Sequence, residues 1–89
     1  MTEKDKKIIS RRLKIIAGQI NGLGKMIEDG RYCIDVIYQS LAIKEALSGI
    51  ENLVLENHLK THVVEQIKKG QSNKAIQEIL DIYRISKKK

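Results

Sequence analysis

The stretch YCIDVIYQSLAIKEALSGIENLVLENHLKTHVVEQIKK, residues 32–69, contains neither a proline nor a cluster of turn-forming residues. Without a stop signal over that length, it predicts one long helix from Tyr32 to about Lys69. Val36, Ile37, Leu41, Leu47, Ile50, Val54, Leu59, Val63 and Ile67 give it an apolar stripe, with Gly49 as a weak point. A stripe of that length needs more than one short neighbour to cover it.

Upstream, Asp29-Gly30-Arg31 breaks the chain, and before it Ile9, Leu13, Ile16, Ile20, Leu23 and Ile27 recur at alternating spacings of four and three. This is the seam of an amphipathic helix from Asp5 to Glu28. Gly18, Gly22 and Gly24 each weaken that helix by about 1 kcal/mol relative to alanine, so close packing against another backbone is expected there. Downstream, Gly70 is the expected stop and Ser72 or Asn73 the expected cap. Ala75, Ile76, Ile79, Leu80, Ile82 and Tyr83 then supply a third amphipathic helix, with Ser86 and the three terminal lysines as a frayed basic tail. No strand-like alternation, repeat or linker is present, so residues 1–89 predict one all-α, three-helix subunit with a long second helix.

A chain of 89 residues buries a modest fraction of its surface, which calls for a partner chain. Its core is aliphatic, for Phe and Trp are absent and Tyr occurs three times. Seventeen Lys and Arg against eleven Asp and Glu leave a net charge of +6, which a homotetramer multiplies fourfold. The natural partner of such a field is a polyanion, nucleic acid before membrane. One cysteine excludes an internal disulfide framework, and no signal peptide or membrane span is read, so the expected compartment is the cytoplasm.

The chemistry-bearing residues are few. His58 and His62 stand four apart, so both imidazoles project from one helix face, a common metal-binding spacing that two surface or core histidines also adopt. Cys33 is a natural third ligand or a small buried hydrophobe. It precedes His58 by 25 residues, roughly 37 Å along one straight helix, so one helix cannot bring all three to one ion. An antiparallel copy solves this. A two-fold axis near Ala46 and Leu47 sets Cys33 of one chain beside His58 and His62 of the other, making two equal sites per dimer. A Cys-His nucleophile lacks an oxyanion loop, a Gly-rich turn and an enclosed pocket for a small-molecule substrate, so an enzyme is not expected.

Arg12-Leu13-Lys14-Ile15-Ile16-Ala17-Gly18-Gln19-Ile20-Asn21-Gly22-Leu23 with Met26-Ile27-Glu28, then Arg31-Tyr32-Cys33-Ile34-Asp35-Val36, then His58-Leu59-Lys60-Thr61-His62-Val63, together resemble the CsoR/RcnR family of metal-sensing repressors. The likeness covers nearly the whole chain. It implies a homodimer with antiparallel second helices that assembles into a dimer of dimers, with metal ligands at Cys33, His58 and His62. It also implies outer partners at Tyr32 and Glu78 that couple the metal to DNA through His58.

The copper branch reads Cys, His, Cys where this chain reads Cys, His, His. One thiolate and two imidazoles suit trigonal Cu(I). The nickel and cobalt branch shares Cys, His, His but adds a histidine near the N-terminus, where this chain has Met1-Thr2-Glu3-Lys4. Ni(II), Co(II) or Zn(II) would need ligands from elsewhere, and the reading favours Cu(I). The persulfide branch needs a second cysteine, and the formaldehyde branch an N-terminal proline, where Thr2 stands here.

The implied function is a repressor that holds operator DNA when metal-free and releases it on binding metal. Arg12 and Lys14 are the first candidates for phosphate contacts, supported by Arg11, Lys25 and Lys44, while Gly49 stands near a basic position of the family. No helix-turn-helix pattern is present, so a flat basic face is expected. Taken without the resemblance, that charge is an ordinary solvated face. The alternatives are a metal-insensitive helical DNA-binding scaffold and a metal-buffering protein that never touches DNA.

Overall fold

The computed structural model describes residues 1–87, which form α1 (Glu3–Glu28), α2 (Cys33–His58), a π-helical turn (Leu59–Val63), α3 (Val64–Lys68) and α4 (Ser72–Lys87). The helical path from Cys33 to Lys68 is uninterrupted, so the chain has the three expected helical segments and, among the described residues, no strand. The long second segment changes character at its histidines: five residues adopt the wider π winding.

The chain divides into two compact parts, Met1–Val54 and Leu55 onward. In the first, α1 starts two residues earlier than the apolar pattern suggests because Thr2 caps it. The Thr2 hydroxyl accepts from the Asp5 backbone N–H at 3.1 Å, and the Asp5 carboxylate accepts from the Thr2 N–H at 3.3 Å. These reciprocal bonds satisfy two of the donors left over at a helix start. They also hold the Asp5 carboxyl below its ordinary range, the side-chain bond with Thr2 being the larger cause.

The exit from α1 depends on Gly30 at φ +67°. The Gly30 N–H donates to the Ile27 carbonyl at 3.1 Å and the Arg31 N–H to that of Met26 at 2.9 Å, a Schellman turn. The reversal carries the chain from α1 into α2, whose Ile43 and Ile50 are buried with Ile16 of α1 while Ile9, Leu23 and Ala46 pack around them. Burying each of these isoleucines contributes about 1.5–3 kcal/mol.

Only one row of the α1 seam is used. Ile9, Ile16 and Leu23 face this core, whereas Leu13, Ile20 and Ile27 are 46%, 51% and 63% exposed. On α2 the buried pair is Ile43 and Ile50, and Ile43 lies outside the expected stripe. Ile37 and Leu41 of that stripe remain exposed, as do Ile34 and Tyr38 beside them. At about 100° per residue these four lie on the side of α2 opposite Ile43 and Ala46, so α2 is apolar on two sides. Within the described chain, no atom outside the local helix backbone comes within 4 Å of a Cβ placed at Gly18, Gly22 or Gly24, so the close packing expected there is not made inside one subunit.

In the second part, Gly70 at φ +76° ends α3 with the same turn, Gly70 N–H to Ile67 carbonyl at 3.1 Å and Gln71 N–H to Gln66 carbonyl at 2.7 Å. α4 begins at Ser72 itself, where Ser72 or Asn73 was expected to stand before the helix as its cap: the Ala75 N–H donates to the Gln71 carbonyl at 3.2 Å, which places Gln71 at the cap position. Val63 and Ala75 are its buried apolar residues. Ser86 and Lys87 of the tail expected to fray belong to α4. The Ser86 hydroxyl donates to the Tyr83 carbonyl at 2.8 Å, and the Lys87 ammonium sits 4.5 Å from the Tyr83 ring centroid. Lys88 and Lys89, the rest of that tail, lie outside the described residues.

Candidate metal centre and basic face

Each potential ligand is placed by the end of a helix. Cys33 is the first residue of α2 and exposed, and Tyr32, 70% exposed, immediately precedes it. His58 is the last residue of α2, and His62 lies within the π turn. The structure brings the two histidines together, with ring centroids 5.3 Å apart and ring planes inclined by 27°. Their i, i+4 spacing thus survives the change of winding as a stacked pair of imidazoles, His58 half-buried and His62 exposed.

π turns are rare and concentrate at functional positions. Here the turn carries its own support. Thr61, between the two histidines, donates its hydroxyl proton to the Asn57 carbonyl at 2.7 Å, and the same oxygen lies 3.2 Å from Nδ1 of His62. An exposed Lys60–Glu56 ion pair at 2.8 Å spans the start of the turn, worth little in water.

Among the described residues, one chain gathers no three His, Cys, Asp or Glu side chains around a metal-sized point. Cys33 and His58 stand at opposite ends of α2, as the rise along the sequence required. Glu78 lies on α4 with Oε1 buried and without a hydrogen-bond partner, so no bond joins it to His58 in this chain.

The basic residues fall on separate sides. Lys7, Ser10, Arg11, Lys14 and Ile15 line one shallow groove. Arg12, turned by about 100° from Arg11, lines another with Ile16, Gln19, Ala46 and Gly49. The two residues singled out first, Arg12 and Lys14, therefore do not share a face. Lys25 follows Lys14 after about three turns and continues the file of Lys7, Arg11 and Lys14, while Lys44 belongs to α2. Among the described residues none of Lys7, Arg11, Arg12, Lys14, Lys25 or Lys44 is engaged in an ion pair; those present use Lys6, Lys60, Lys69 and Arg84.

The model of the family described as "Metal-sensitive transcriptional repressor" matches residues 5–84. The chain belongs to the metal-sensitive transcriptional repressor family. This is the family that the α1 run, the Tyr32-Cys33 segment and the His58–His62 segment resemble, and its members are repressors, not enzymes. The copper-sensing transcriptional repressor CsoR of Bacillus subtilis is 37% identical over 83 residues, covering 93% of this repressor and 82% of the relative. That of Mycobacterium tuberculosis is 33% identical over 76 residues, 85% of this repressor and 64% of the relative. The crystal structure of CsoR with Cu(I) from Geobacillus thermodenitrificans NG80-2 superposes with a TM-score of 0.89 at 36% identity, covering 99% of this repressor and 92% of that chain.

Sequence reasoning missed Thr61, the π turn, Ser10 in the basic groove and the Thr2 cap. Only the last left a readable signal, the pattern Thr2-Glu3-Lys4-Asp5 of a capping box. No helix of the described residues is long and apolar enough to cross a membrane.

Proposed function

We propose that this repressor responds to copper: metal-free it holds operator DNA, and it releases the DNA on binding Cu(I) at Cys33 of one subunit and His58 and His62 of another. The observation that carries this reading is the stacked His58–His62 pair at one end of α2 with Cys33 at the other. An antiparallel second copy then completes two equal sites. The similarity to a Cu(I)-bound CsoR supports the choice of metal, and the donor set fits it: one soft thiolate and two imidazoles, without the extra oxygen or nitrogen ligands that Ni(II), Co(II) and Zn(II) require.

When bound, Cu(I) supplies a soft Lewis-acid centre that ties a thiolate and two imidazoles from different subunits together. The chain does the rest. The exposed Cys33 offers Sγ at a helix start, while the π turn presents the two rings as a pair. In this reading Tyr32 and Glu78 meet His58 only in the assembled molecule, where the Oε1 of Glu78, buried without a partner in the single chain, would gain a hydrogen bond. The file Lys7, Arg11, Lys14 and Lys25 on one face of α1, with Arg12 on another face and Lys44 on α2, supplies the surface for phosphates. The half-used seam of α1 and the second apolar side of α2 supply the contact surfaces for a homodimer and a homotetramer. Because metal and DNA favour different arrangements of one assembly, DNA weakens copper binding by the same factor by which copper weakens DNA binding.

The test is fluorescence-anisotropy binding to the DNA upstream of the coding sequence, titrated anaerobically with Cu(I), Ni(II), Co(II) and Zn(II), for wild type and Cys33→Ala. Release by Cu(I) that the variant loses is the expected result. Release by Ni(II) or Co(II) alone would move the protein to another metal, and DNA binding untouched by any metal would leave a constitutive scaffold.

A further inference from the structure

We propose that Thr61 is a positioning residue for His62: it fixes the proton of the imidazole on Nδ1 and leaves Nε2 as the nitrogen that meets the metal. This rests on the reading of His62 as a ligand, and it names which atom of the ring does the work.

The argument is a proton count. A threonine hydroxyl has one proton and two lone pairs. The Asn57 carbonyl can only accept, so the 2.7 Å contact commits the Thr61 proton to it. The same oxygen therefore faces His62 with a lone pair, and the 3.2 Å contact to Nδ1 is a hydrogen bond only if Nδ1 carries a hydrogen. With Nδ1–H donating to Oγ1, a neutral ring keeps its lone pair on Nε2. The nitrogen that a histidine offers to a metal is set by the bond its other nitrogen makes.

The backbone holds the hydroxyl in place. A threonine within a helix can return its hydroxyl to the carbonyl one turn back, and such bonds bend helices. Here that bond runs from the π turn back to the last turn of α2, so one interaction supports the local winding and also aims an acceptor at the neighbouring ring. His62 gains this partner from its own chain, one residue away. It is exposed and has no other ring-nitrogen partner among the described residues.

The experiment is long-range proton–nitrogen NMR of the full-length, reduced, metal-free protein near neutral pH, with His62 assigned by comparison with His62→Gln. The expected spectrum shows Nδ1 protonated and Nε2 bearing the lone pair. Nε2 protonated in the wild type would overturn the proposal without any threonine variant. Thr61→Val, which keeps the shape and loses the hydroxyl, should abolish this preference and lower Cu(I) affinity about 10- to 100-fold. Thr61→Ser, which restores the hydroxyl, should recover both. An unchanged tautomer in Thr61→Val, or its loss in Thr61→Ser, would remove the role given to the hydroxyl. Cu(I) added to the wild type should perturb Nε2 of His62. Perturbation at Nδ1 would sink the assignment alone, whereas Cu(I) that leaves both histidine rings unmoved would sink the copper site itself.

Discussion

The two ends of α2 are built by different means. At its start, a Schellman turn at Gly30 delivers Cys33 into a regular helix with its side chain exposed. At its end, the winding widens, a hydroxyl anchors the turn, and two imidazoles are stacked. One half of the proposed site is organised within the chain, and the other arrives as a free thiol from a second copy. Stacking the rings within the chain lowers the cost of ordering them on binding, and in the proposed site closure would require a second subunit to bring its cysteine.

The strongest way to break this contrast is to loosen the regular half. Ile43→Ala removes a core side chain shared by α1 and α2 and should cost about 2–5 kcal/mol, read as a lowered denaturant midpoint. Next come the hinges. Gly30→Ala and Gly70→Ala each force a Cβ into the left-handed region and should cost about 1–2 kcal/mol by thermal unfolding, Gly30 acting beside Cys33 and Gly70 on the histidine side. If the two ends are built as described, Gly70→Ala should also weaken the His58–His62 pairing seen by NMR, and Gly30→Ala should leave it intact.

Smaller effects test α1 alone. Thr2→Ala should cost about 1 kcal/mol of helix stability and return the Asp5 carboxyl toward its ordinary range. The sign follows from linkage. Asp5 titrates lower folded than unfolded, so its contribution is present above the ordinary aspartate value and fades as pH falls through the lowered one. Circular dichroism in acid should show wild type keeping α1 to lower pH than Thr2→Ala. Gly18→Ala, with open space for its methyl, should stabilise the isolated protein by up to about 1 kcal/mol. A destabilisation instead would show that a neighbouring copy packs at that glycine.

Much of this was legible in the residues. The unbroken run to Lys69, the stops at Gly30 and Gly70 and the seam of α1 follow from local rules, and the structure keeps them. The seam could not say that Ile9, Ile16 and Leu23 would be covered within the chain while Leu13, Ile20 and Ile27 would not, because periodicity marks apolar positions without saying which neighbour takes each row. For the same reason Ile43 was passed over: on a helix apolar on two sides, no single stripe identifies the core. The histidine pair was readable from its spacing. The π turn was not, since Leu59 and Val63 fit an α pattern equally well and one extra residue in a winding leaves no compositional trace. Thr61 leaves no mark in the sequence pattern because its role lies in where one proton goes.

The uncovered rows on α1 and α2 also bear on how much of the protein a cell must keep. In the proposed homotetramer, a subunit that leaves Leu13, Ile20, Ile37 and Leu41 bare on its own would gain stability by mass action, and its melting temperature would rise with its own concentration. Dilution would then erode the fold along with the assembly, and scarce subunits would be cleared by proteolysis before they could accumulate as inactive monomers.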